Sequence, residues 1–197
     1  QVFNYIKSLG ITDLKYAVAT HPDADHIGGL PAAFHAANVK TLLSPIEKHG
    51  ESRFATLLKT AQEKDVPLVV PQAGKVLSLG EANITVLSPV IQFADANDLS
   101  LVLRLDYGKT SFIFTGDAST AVERDLIARK SDLDADVLKV SHHGSSTGTS
   151  SEFVSAVSPQ YAVISSANMP SIEVLYALAE SSTLITAQKG SIIIHSD

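Results

Sequence analysis

Apolar and polar positions follow two periods along this chain, and their alternation predicts a mixed α/β protein. Tyr16–Thr20 (YAVAT) is a short apolar run of strand type. Gly28-Gly29 then breaks the pattern, and Pro31, near a first helical position, opens a helix that runs through Ala37. Lys40–Ser44 reads as a strand, and Glu51–Lys64 carries Phe54, Leu57, Leu58 and Ala61 at helical spacing. Val66–Val70, Lys75–Leu79 and Asn83–Leu87 read as strands, and Leu99–Asp106 with Lys109–Thr115 as a hairpin around Tyr107-Gly108. Further on, helices over Thr120–Arg129, Ser151–Val157 and Ser171–Glu180 interleave with strands over Asp136–Ser141, Tyr161–Ser165 and Ser191–His195. No repeat, low-complexity tract or linker interrupts the series, so residues 1–197 read as a single domain of layered sheets covered by helices.

Composition narrows the chemistry. The 197 residues are 45 % apolar and 18 % charged, which suits a folded chain with a sizeable core. Fifteen basic against 21 acidic residues leave a formal charge of −6, so a phosphate backbone finds no general attraction here. The absence of cysteine excludes disulfides, thiolate metal sites and cysteine nucleophiles, and leaves the compartment open. No apolar run approaches the ~18–20 residues of a membrane span. Gln1-Val2-Phe3-Asn4 lacks an initiator Met and is not a signal peptide, so a fragment or processed form is expected.

Three polar clusters sit where apolar strands end. YAVAT runs into His21-Pro22-Asp23-Ala24-Asp25-His26, SFIFT into Gly116-Asp117, and VLKVS into His142-His143-Gly144-Ser145-Ser146. In layered α/β folds ligands gather beyond the carboxyl ends of strands, so the three clusters are expected at one rim. His21, Asp23, Asp25 and His26 cannot all reach one ion, but a tight loop can serve two ions about 3.5–4 Å apart. Without thiolate, imidazole and carboxylate suit Zn²⁺ or Mn²⁺ better than Mg²⁺ or Ca²⁺. Asp117, taken alone, reads sooner as a helix cap ahead of Ser119-Thr120 than as a ligand. Adjacent His residues are expected to point apart, which selects His142, directly after the strand, as ligand and leaves His143 to support the ligands from behind, to contact substrate or to lie at the surface. Asp95, Asn97 and Asp98 form either a polar turn or a segment from which Asn97 or Asp98 reaches metal or substrate. His35, His49 and His195 are expected at the surface.

These motifs resemble those of the metallo-β-lactamase superfamily, whose signature is His-x-His-x-Asp-His after a strand, with a later Asp and His each ending a strand. Here Asp23 stands at the second His, and THPDADHIGG, TGDA and SHHGSS in this order resemble the hydrolase domain of ComEC-type DNA-uptake competence proteins. The resemblance implies an αββα sandwich with a dinuclear site in a shallow groove. His21 and Asp23 would hold one metal, Asp25 and His26 the other; Asp117 would bridge, and His142 would complete the first site. It implies hydrolysis, of phosphodiesters by analogy with the ComEC-type relatives, by a water activated on two divalent ions, Zn or Mn. Asp25 would orient that water, His143 would donate a proton, and Ser145, Ser146 and Asn97 would hold substrate. The expected partners are single-stranded DNA or a small phosphodiester, without tight duplex binding. Relatives are attached to membrane proteins, which favours the cell surface. They begin with extra strands ahead of this chain's start, and carry a Tyr-Gly-His-Pro segment where this chain runs from Asn168 into Met169-Pro170. Residues are therefore expected to intervene at that point.

Overall fold

A computed structural model describes residues 1–89 and 95–196, in two compact units that meet in sequence at Pro71 and Gln72. In the first unit, Leu42–Leu43 (β4) pairs in parallel with both Ala17–Val18 (β2) and Leu68–Val69 (β5). Asp13–Leu14 (β1) pairs separately with Asn38–Val39 (β3). The strands are shorter than the apolar runs that announced them: within Lys40–Ser44 only Leu42–Leu43 is strand, and β3 lies just ahead of that run. Helix α4, Ser52–Glu63, buries Phe54, Leu57 and Ala61 at the expected spacing, and Glu51 caps it by accepting from the Arg53 amide at 3.0 Å. Helix α3, Leu30–Ala36, has Pro31 in its first turn as expected, and packs Ala33 and Ala36 against Ile6 of a further helix, Val2–Ser8 (α1), that the pattern did not predict. Ala19, Ile27, Phe34, Leu42, Phe54 and Leu57 form the unit's core.

The second unit holds a seven-stranded sheet in the order β12-β11-β10-β9-β8-β7-β6. Val76–Leu79 (β6), Ala82–Ser88 (β7), Val102–Tyr107 (β8) and Thr110–Phe114 (β9) run antiparallel, with β8 and β9 joined by the expected hairpin. Val137–Lys139 (β10), Tyr161–Ile164 (β11) and Ser182–Ile185 (β12) then extend the sheet in parallel from β9. Helices Thr120–Ala128 (α5), Ser151–Val157 (α6) and Ile172–Ala177 (α7) are its crossovers. Their buried Val122, Leu126, Phe153, Val157 and Val174 pack on Ile113, Leu138, Ala162 and Ile164 of one sheet face. The class is thus mixed α/β, as the pattern indicated.

The last strand is a correction. Ser191–His195 forms no strand; the sheet ends instead at Ser182–Ile185, followed by Thr186–Lys189 (α8). Parallel pairing with β11 decides this, because it lets Thr183, Leu184 and Ile185 align with Ala162, Val163 and Ile164. Among the described residues no helix is long and apolar enough to cross a membrane.

Candidate functional site

Three neighbouring parallel strands of the second unit end in register, with Phe114 opposite Lys139 and Lys139 opposite Val163. Whatever follows each of them emerges at the same sheet end. After β9 the chain turns at Gly116, φ 56°, and buries Asp117, whose amide donates to Ser100 Oγ at 3.0 Å. Asp117 is not the cap of α5. Ser119 fills that role, accepting from the Ala121 amide at 3.1 Å, while Asp98 Oδ1 accepts from the Ser119 amide at 3.0 Å. The Asp117 carboxylate faces two imidazoles instead: its Oδ2 lies 3.8 Å from His142 Nε2 and 3.7 Å from His143 Nε2.

Both adjacent histidines thus address one carboxylate, which corrects the expectation that they must point apart. Left-handed backbone at both residues allows it, φ 44° at His142 and φ 53° at His143. Each such residue costs roughly 1–2 kcal/mol, a strain that persists where surrounding bonds enforce it. Here the His142 amide donates to Gly116 O, the Ser145 amide to His142 O and the Ser171 amide to Gly144 O. The Ser145 amide is therefore engaged in the turn and not open to substrate oxygens. Gly144 itself, φ 84°, has no room for a side chain, since a Cβ would stand 2.5 Å from Pro170 Cβ. Gly144→Ala is expected to destabilise by about 2–4 kcal/mol through strain plus overpacking. Chemical denaturation measures it; an unchanged midpoint would show that the turn relaxes freely.

Each ring is anchored through Nδ1. His143 Nδ1 lies 2.7 Å from Ser165 O, and a carbonyl only accepts, so Nδ1 carries the proton and Nε2 the lone pair. His142 Nδ1 lies 2.7 Å from Thr147 Oγ1; Thr147 donates its own proton to Ser145 Oγ at 3.2 Å and so accepts from His142. Metal-ligating histidines are held in this way, with the far nitrogen fixing the tautomer. Sequence reasoning missed Thr147 and Ser165; the Ser/Thr run 145–151 was the available signal for the first.

The first unit presents a separate set. His21 follows β2 directly and is buried, with Nδ1 3.1 Å from Thr20 Oγ1 and Nε2 3.9 Å from Asp23 Oδ2. Asp23 occupies the N-cap position of a four-residue helix, Ala24–Ile27 (α2), yet its carboxylate makes no capping bond. Within α2, His26 Nε2 lies 3.6 Å from Asp25 Oδ2, and the His21 and His26 ring centroids are 4.1 Å apart. The Asp25 side chain is 67 % exposed.

Both sets fit a divalent ion by donor chemistry. Ligands 2.0–2.1 Å from a tetrahedral ion stand about 3.4 Å apart, and the nitrogen–oxygen separations of 3.6–3.9 Å are close to that. The remaining candidates divide. Asn97, in the short 3₁₀ turn 97–99, has a buried Oδ1 with no hydrogen-bond partner among the described residues. Ser145 Oγ is occupied by Thr147, and Ser146 is exposed. His35, His49 and His195 are exposed, as expected. Asn168–Pro170 form a short loop, in which the Asn168 amide donates to Ser166 Oγ at 3.0 Å.

Residues 3–167 match the model of the metallo-beta-lactamase superfamily. The chain belongs to that superfamily. Among curated relatives, ComE operon protein 3 of Bacillus subtilis is 34 % identical over 196 residues, 95 % of this chain and 25 % of that protein. Competence protein ComA of Neisseria gonorrhoeae is 31 % identical over 163 residues, 82 % of this chain and 21 % of that protein. The chain thus spans a quarter or less of the length of these relatives. Among solved structures, the metallo-beta-lactamase fold protein YhfI of Bacillus subtilis superimposes with a TM-score of 0.54 at 13 % identity, covering 87 % of this chain and 74 % of its own. The metallo-β-lactamase fold and the likeness to competence proteins follow from these matches.

Proposed function

We propose that the chain hydrolyses phosphodiester bonds with two divalent ions, Zn²⁺ or Mn²⁺, and that its substrate is DNA in single-stranded form or a small phosphodiester. In this reading His21, Asp23, Asp25, His26, Asp117 and His142 are the residues that would hold the two ions. The observation that carries it is the preparation of the ligand atoms: Nδ1 of His21, His142 and His143 is tied to a neighbouring oxygen, and Nε2 faces a carboxylate. Superfamily membership and the competence relatives support the choice of reaction and substrate class.

Bound ions supply Lewis acidity to the scissile group and lower the pKa of water from ~15.7 towards ~7. Asp25, exposed on α2, is the base that orients and deprotonates the attacking water. With Nδ1 donating to Ser165 O, the neutral His143 ring accepts a proton or ligates through Nε2, and donates to a leaving group only as imidazolium. Asn97, through its donating Nδ2, and the exposed Ser146 are the polar side chains left to hold the phosphate oxygens of a substrate.

A panel of bis-p-nitrophenyl phosphate, nitrocefin and a lactone, each with Zn²⁺ or Mn²⁺, tests the substrate class. Turnover of the phosphodiester alone is expected; turnover of the lactam or lactone alone would move the chain to ester or amide hydrolysis, and metal binding without turnover to a binding role. Weak binding of duplex DNA by metal-free protein is also expected, because a net charge of −6 leaves few phosphates neutralised. Tight duplex binding with a steep salt dependence in a gel-shift or anisotropy titration would contradict it.

A further inference from the structure

Glu123 lies in α5 with 1 % of its surface exposed. Buried charge is costly unless donors compensate it. No ion pair of Glu123 occurs among the described residues; its carboxylate accepts from two backbone amides, Oε1 from Thr149 and Oε2 from Ser150 at 2.9 Å. Both belong to the loop that follows the two histidines. A carboxylate suits this place because it only accepts, whereas an amide would turn an NH₂ against one of the N–H groups.

The same loop is tied down elsewhere. The Thr120 amide at the start of α5 donates to Thr147 O at 2.9 Å. The Ser141 amide donates to Thr149 Oγ1 at 3.3 Å, and Ser141 Oγ donates to Ala118 O at 2.6 Å. Thr149 is itself left-handed, φ 62°, and Gly148 is so closely packed that a Cβ would stand 2.7 Å from Ala118 O. Between these fastenings sits Thr147, whose hydroxyl holds His142 Nδ1 at 2.7 Å.

We propose that Glu123 is a positioning residue for His142: by clamping the Thr149 and Ser150 amides it fixes Thr147, and through Thr147 the ring orientation and tautomer that present Nε2 for metal. The inference rests on the metal reading of the site and adds a residue that neither the motifs nor the ligand set includes. His143 is anchored by Ser165 O and stands outside this chain of contacts.

The test compares Glu123→Gln with Leu126→Ala, which weakens the same helix through its buried core face. Two readouts are taken on the full chain well below its melting temperature: Zn²⁺ affinity, and the ¹⁵N imidazole shifts of metal-free protein, which report each tautomer. Glu123→Gln is expected to lower Zn²⁺ affinity by roughly 10–100-fold. It should also convert His142 from one tautomer to a mixture while His143 keeps its own, and Leu126→Ala should do neither. A single His142 tautomer with unchanged affinity in Glu123→Gln, or equal effects in both variants, would overturn the proposal. Should the wild-type chain bind no Zn²⁺, the metal reading fails by itself, and the shifts of the metal-free protein still decide the role of Glu123.

Discussion

Asp25→Ala is expected to lower metal-dependent phosphodiester turnover by roughly 10²–10⁴-fold, the usual contribution of a positioned base, and to leave the metal-free fold intact. The two halves of this expectation have different origins. Asp25 sits on the short helix α2 with its side chain 67 % exposed, so its removal opens no cavity, and a substitution at such a surface typically stays within about 0.5 kcal/mol. Its carboxylate lies beside His26 Nε2, where the proposed chemistry needs a ligand and a base. Initial rates at saturating Mn²⁺, set against thermal melts in chelator, separate the two. A variant with the wild-type rate would remove Asp25 from the reaction; one that melts much lower in chelator would make it a structural residue.

Lys139→Met is expected to stabilise the chain at neutral pH. Lys139 lies on β10 facing a cavity of about 260 Å³ lined by Phe112, Phe114, Val163, Ile192 and Ile194. Burial among these groups lowers its pKa from 10.5 to about 8, with Asp117 opposing the shift. Between pH 8 and 10.5 the unfolded chain binds more protons at this residue than the folded one, so stability rises with pH across that window. Below pH 8 the full penalty applies, about 3 kcal/mol at 1.36 kcal/mol per pKa unit. Methionine removes it, while losing the bond from Lys139 Nζ to Val140 O restores roughly 1 kcal/mol of cost. The net gain of about 2 kcal/mol at pH 7 should raise the melting temperature by about 4–8 °C, and should disappear by pH 10.5. A gain that persists undiminished at pH 10.5, or a loss at pH 7, would show that Lys139 is not buried as a reluctant cation.

Much of the fold was legible in residue order because local periodicity and tertiary burial agree. Phe54, Leu57 and Ala61 repeat at helical spacing, and that face is the one α4 buries. Tyr107-Gly108 divides two β-rich runs, and β8 and β9 meet there. The misplaced strand has a physical cause. Ser191–His195 has the composition of a strand, but a strand exists only where a neighbour offers its hydrogen bonds, and β11 pairs with Ser182–Ile185 instead. The ligand candidates Asp117 and His142 were legible because a polar group following an apolar strand is conspicuous. The left-handed backbone at His142 and His143 was not, since nothing in two consecutive histidines announces positive φ. Glu123 was invisible for the opposite reason: a glutamate on a helix reads as solvated surface until the loop that covers it is known.

Hydrolysis of bis-p-nitrophenyl phosphate by the full chain, followed as a function of Zn²⁺ or Mn²⁺ bound per chain, tests the central claim most directly. The account predicts no turnover without metal, a rate that climbs with occupancy and levels off at two ions per chain, and loss of that rate on chelation. Two ions bound with no turnover, or turnover indifferent to chelator, would contradict it.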